Sequence, residues 1–120
     1  MIWLSSMNEF SLTCYFDALT AARAITGFCD GKTLDDYRMD DLLASAVERK
    51  FEIMGEALVR VRRKHPEDLA VITDSAAIIG FRNVLAHTYD HLEEVVVWGI
   101  VTEKIPRFIS ELEQIEGISG

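Results

Sequence analysis

The stretch Asp35–Lys64, DDYRMDDLLASAVERKFEIMGEALVRVRRK, decides how this chain folds. Leu43, Val47, Met54, Leu58 and Val61 recur at three-, four- and seven-residue steps, so they share one stripe of an α-helix. Acidic residues crowd the start of the stretch and Arg60, Arg62, Arg63 and Lys64 crowd its end, the polarity that a helix dipole favours. A single helix running from the acidic stretch Asp35–Asp41 to Lys64 would be roughly 35–40 Å long, the full height of a helical bundle.

The flanking segments have the same period. Phe10, Phe16 or Asp17, Leu19 and Ala22 space a helix over about Asn8 to Ile25, with Gly27 as its stop. A third helix opens at Asp74 or Ser75 and carries Ala77, Ile78, Phe81, Leu85 and Ala86 inward. From Leu92 to Ile115 the run Val95-Val96-Val97 has strand propensity. Yet Val97, Ile100 or Val101, Ile105, Phe108, Leu112 and Ile115 hold a helical period, which predicts one helix kinked at Pro106. Turn signals fall at Gly27–Lys32, at Lys64–Asp74 around His65-Pro66, and at Thr88–Leu92. The expected fold is all-α: an antiparallel up-and-down four-helix bundle, with a short extra helical turn at Pro66–Ile72.

A chain of 120 residues that is 49% hydrophobic and 27% charged fits one domain with a real core, spanning 1–120 with residues 1–7 as a loosely held extension. Met7 is a second candidate start. The formal net charge of −8 argues against broad, nonspecific polyanion binding, DNA included, but leaves room for a local basic site. Cys14 and Cys29 make no disulfide framework and no CxxC or zinc spacing. The start has no signal-peptide pattern, and the longest apolar run, Val95–Val101, is far too short to span a bilayer. A cytoplasmic protein with no membrane partner is the expectation.

The chemistry concentrates in Gly80-Phe81-Arg82-Asn83-Val84-Leu85-Ala86-His87-Thr88-Tyr89. On a helix Arg82 and Tyr89 lie about 20° apart, and Asn83 and His87 form an i, i+4 pair on the adjoining face. Arginine grips a phosphate bidentately, histidine moves protons at neutral pH, asparagine orients either, and tyrosine donates or stacks. That set suits phosphodiester cleavage without a metal. On spacing alone it also suits a plain helix end, where Arg and His cap carbonyls and offset the dipole. His87, Asp90 and His91 have an acceptable metal spacing but no third ligand pattern, so no metal and no cofactor are expected. Glu52 and Glu56 fit ion-pair partners of Arg82, Arg49, Arg60 or Arg63 better than general acids. The basic run Arg60, Arg62, Arg63, Lys64 reads either as a solvated helix end or as phosphate contacts for RNA. No Gly-rich phosphate loop exists for ATP.

The stretch Arg82–Tyr89 resembles the Arg-Asn-x-x-x-His-x-Tyr motif of HEPN-domain proteins, specifically the HepT toxins. Ala46–Leu58 is similar to that family's second helix, and Val97-Trp98 and Pro106 resemble its last one. Asp74-Ser75-Ala76 departs from the Pro-Trp pair often found before the third helix. The resemblance implies a homodimeric ribonuclease toxin of a type VII-like toxin–antitoxin pair, with a small MntA-like nucleotidyltransferase as antitoxin. It assigns catalysis to Arg82, His87 and Asn83, and it marks Tyr89 as the residue that receives AMP. Two chains meeting at a two-fold axis would bring two His to one cleft, and the acid–base chemistry of RNA cleavage needs two proton-transfer groups. A second class stays open: a non-catalytic HEPN subunit that docks to a nucleotidyltransferase.

Overall fold

Asp40 caps the helix around which the chain packs, its carboxylate accepting the Leu43 N–H at 3.0 Å. This helix, here α3, runs Asp41–Lys64 and buries Leu43, Val47, Phe51, Met54, Leu58 and Val61. The computed structural model describes residues 7–87 and 93–118, with the backbone alone at 86 and 87. Around α3 stand α1 (Glu9–Cys29), α2 (Leu34–Arg38), a 3₁₀ turn (Pro66–Val71), α4 (Ser75–His87), α5 (Glu94–Glu103) and α6 (Ile105–Glu113). No strand occurs among the described residues.

The chain alternates direction. Ser11 and Tyr15, at the start of α1, reach Asp68 just past the end of α3, so α1 and α3 run antiparallel. The Ser11 hydroxyl donates to the Asp68 carboxylate at 2.6 Å, and the Tyr15 phenol donates to the Asp68 carbonyl at 2.7 Å. Burial pushes the Tyr15 phenol above its ordinary range, so it stays a donor. Helix α4 returns along α3, with Phe81 edge-on to Phe51 at a centroid separation of 4.9 Å. Helix α5 packs against α2, with the Trp98 and Tyr37 rings 5.6 Å apart, and α6 runs back beside α1, where Arg23 pairs with Glu113 at 2.8 Å. The start of α4 is tied to α6: Arg107 grips buried Asp74 with Nε at 3.0 Å and Nη2 at 2.9 Å, while Thr73 donates to Glu111. The result is an all-α, up-and-down bundle measuring 46 × 29 × 18 Å.

Several local expectations change. The acidic stretch Asp35–Asp41 does not open one long helix. Thr33 and Asp36 form a capping box that sets off α2 as a unit, and Asp40 then caps α3 separately. An aspartate between two helical runs competes for backbone N–H groups and favours a cap over a helix interior. Gly27 is inside α1, which stops at Asp30 with Gly31 in the left-handed region at φ +71°. Phe10 and Phe16 are 36% and 42% exposed; the buried stripe of α1 is Cys14, Tyr15, Ala18, Leu19, Ala22 and Ile25. Ala77 faces outward, and Ile78 and Ile79 fill the core instead.

The last segment is two helices rather than one kinked helix, because Pro106 has no N–H for the Thr102 carbonyl and the break falls at Lys104. The Pro66–Val71 turn agrees with the expected extra helical turn. Met7 is buried, inside the range expected to form the extension; residues 1–6 lie outside the described residues. No helix among the described residues is long and apolar enough to cross a membrane.

Phe108 is fully buried. Phe108→Ala should therefore cost about 3–5 kcal/mol in urea denaturation. Phe16→Ala should stay within about 1 kcal/mol, although both positions belong to apolar patterns in the sequence.

Candidate active site

Arg82 emerges from α4 directly above Gly55 of α3. A Cβ built on Gly55 would lie 2.2 Å from Arg82 Cβ and 2.5 Å from its Cγ, well inside van der Waals contact. The missing side chain at 55 is what lets the arginine stem lie on the neighbouring helix. One residue further, Glu56 Oε2 accepts from Arg82 Nη2 at 2.7 Å. Arg82 Nη1 donates to Asn83 Oδ1 at 3.1 Å. The guanidinium is thus held by a carboxylate on α3 and an amide on its own helix. Nε and a second proton on each Nη are not spent on those two bonds. Its side chain is 31% exposed, so it is oriented by protein and open to solvent.

The expected pairing of the glutamates is observed. Glu56 is the partner of Arg82, and Glu52 lies 3.8 Å from Arg49. Within the basic run, Arg60 turns toward α1 and sits 3.7 Å from Asp17, while Arg62, Arg63 and Lys64 are exposed at the end of α3. Lys64 stands over the Phe10 ring at 5.7 Å. Arg82 and Asn83 are brought together as expected. His87 is the last residue of α4. Tyr89, Asp90 and His91 lie outside the described residues, and with them the convergence of Arg82, Asn83, His87 and Tyr89 on one cleft. Burial raises the thiols of both Cys14 and Cys29, which disfavours the thiolate form.

Gly55 is the residue that sequence reasoning passed over. The signal was there: a glycine in the middle of a helix of good helix formers costs stability unless another backbone or side chain must come close.

The family described as "Ribonuclease HepT-like" matches residues 18–115. The chain belongs to the HepT-like ribonuclease family. A relative from Methanocaldococcus jannaschii, named as a candidate RNase, is 30% identical over 103 residues, covering 83% of this chain and 82% of its own. A second from the same organism, named likewise, is 26% identical over 98 residues, covering 82% and 89%. A third, from Caldanaerobacter subterraneus subsp. tengcongensis and also named a candidate RNase, is 26% identical over 85 residues, covering 71% and 75%. No solved structure matches the chain significantly. The family match begins inside α1 and ends just past α6, so it takes in the Gly55–Arg82 contact and all of α4.

Gly55→Ala should lower stability by about 1–3 kcal/mol through overpacking, measured by chemical denaturation. It should also displace Arg82 from Glu56, visible as altered chemical shifts at both side chains. A variant with unchanged stability and shifts would mean that the two helices have room to spare.

Proposed function

We propose that this chain is the toxin of a toxin–antitoxin pair: a metal-independent endoribonuclease that works as a homodimer and is silenced by AMP transfer to Tyr89. The observation that carries the reading is the poise of Arg82. Its guanidinium is fixed by Glu56 and Asn83 at a solvent-open surface, in a chain whose family is named for ribonuclease activity. A guanidinium held this way meets a phosphate as a planar fork and stabilises the charge that builds on its oxygens.

The reaction is transesterification within RNA. The 2′-oxygen attacks phosphorus and loses its proton to the imidazole of His87 in one protomer. The bond from phosphorus to the 5′-oxygen breaks, and the departing oxygen takes a proton from the partner copy's imidazolium. The products are a 2′,3′-cyclic phosphate and a 5′-hydroxyl. The carboxylate next to Arg82, Glu56, is committed to the guanidinium, and no nucleophile from the protein is needed. Asn83 keeps the arginine aligned. Arg62, Arg63 and Lys64 lie exposed at the end of α3, where they can meet flanking phosphates; Arg60 contributes less because it leans on Asp17.

Dimerisation through α4 and the start of α5 fits the apolar surface left there. Val84, Val95 and Val96 are 47%, 53% and 50% exposed. Exposed β-branched residues of this kind favour a partner surface over water. The nucleotidyltransferase partner would move AMP from ATP to the Tyr89 phenol, with pyrophosphate leaving. The resulting phosphodiester carries about one negative charge and competes with RNA for Arg82.

Cleavage should persist in excess EDTA and yield cyclic-phosphate ends. His87→Ala should abolish it, and Arg82→Lys should lower it by roughly 10²-fold or more, since a point charge cannot replace the fork. Activity lost on chelation and restored by a divalent ion would overturn the metal-free scheme. Light scattering should give twice the chain mass. Incubation with the nucleotidyltransferase encoded beside it and ATP should add one AMP to the wild type and none to Tyr89→Phe. Growth unharmed by induction would favour the non-catalytic docking subunit.

A further inference from the structure

The end of the bundle where α3 gives way to the 3₁₀ turn carries a second group of chemistry-bearing side chains. Glu56 and His65 are nine residues apart on α3 and its cap, about 13 Å along the axis, so this group is separate from Arg82. We propose that His65, Glu67 and Asp68 bind a divalent transition-metal ion of the zinc class, which stiffens the α3–α4 connection beside the start of α1.

One ligand atom from each residue can be chosen so that all lie within 4.8 Å of one another. His65 Nδ1 is 3.6 Å from Glu67 Oε2. The sequence His-Pro-Glu-Asp builds this geometry locally. His65 ends α3, Pro66 opens the 3₁₀ turn with its fixed φ, and the tight turn swings Glu67 and Asp68 back toward the imidazole. The three residues line a cavity of about 380 Å³, together with Met7 and Asn8.

A mixed set of one imidazole and two carboxylates suits zinc better than magnesium or calcium, which take oxygen ligands. Bonds of about 2.0–2.2 Å would draw the ligand atoms to separations of about 3–4 Å. That contraction is small, and the Glu67 side chain is 71% exposed and can swing to meet it. Asp68 is already braced as ligating carboxylates commonly are: the fully buried Ser11 hydroxyl donates to Oδ2, which leaves Oδ1 for an ion. The Phe10 ring lies 6.2 Å from the imidazole, tilted by 53°. Lys64, the cation next to His65 in the chain, stands over the Phe10 ring. A metal would neutralise two adjacent negative charges that otherwise repel.

The inference is independent of the nuclease reading, because none of its ligands takes part in RNA cleavage. The test is calorimetric titration of the metal-stripped full chain with zinc chloride, alongside thermal melts with and without zinc. One equivalent should bind, and the melting temperature should rise. Ser11→Ala, which keeps every ligand, should weaken binding by about 10–100-fold. The double variant His65→Ala/Glu67→Gln should lose the zinc-dependent rise in melting temperature while keeping its helical circular dichroism. No heat of binding in the wild type would overturn the proposal. So would equal zinc affinity in the double variant, which would move the ion to another set, with His87, Asp90 and His91 the first to examine.

Discussion

The contact between Gly55 and the stem of Arg82 sets the distance between α3 and α4, and the candidate site depends on that distance. Any side chain at 55 would occupy the space that the arginine methylenes fill, at separations of 2.2 and 2.5 Å. Because the helices meet this closely, Glu56, one residue on, arrives within 2.7 Å of the guanidinium. About one turn lower on α3, Phe51 and Phe81 meet edge to face and keep the pair from sliding. Helix α1 covers the other side of α3 with small residues, Ala18, Ala21 and Ala22, so the central helix is fixed from both flanks.

The electrostatics follow from the same constraint. In a chain of net charge −8, long-range attraction does not draw RNA in. If Arg82 meets RNA as proposed, recognition is short-ranged, through a guanidinium already aligned before any phosphate arrives. Alignment by a carboxylate has a cost: Glu56 offsets part of the positive charge that a phosphate would feel. The benefit is geometric, since a preset donor array need not reorganise when charge develops on the reacting group.

The amphipathic stripe of α3 was legible because Leu43, Val47, Met54, Leu58 and Val61 have no other explanation at that spacing. The motif at Arg82–Asn83 and the pairing of Glu56 were legible for a similar reason: charged groups near apolar helix faces need partners. What the sequence hid were choices between equally good local solutions. Asp35, Asp36, Asp40 and Asp41 all can cap or start a helix, and only the Thr33 capping box shows which do. Phe10 and Phe16 have core-like chemistry, but the close packing of α1 on α3 admits alanines there and leaves the rings outside. Pro106 announced a disturbance, and at the break Lys104, with Arg107 beyond it, reaches back to Asp74.

That reach has a mechanical meaning. Helix α4 is about 20 Å long from its 13 residues, and its first turn is bolted to α6 through Asp74, Arg107 and the Thr73–Glu111 contacts. Its start is fixed at Ser75, its middle rests on α3 through Phe81 and Arg82, and its last residue is His87. A shift of the start that tilted the helix by about 5° would carry the far end through roughly 1.7 Å, on the helix length above. Displacements of about 1 Å can change a rate by about 10²-fold. Arg107 and Glu111, at the opposite end of α4 from His87, therefore help to set where the proposed catalytic residues lie.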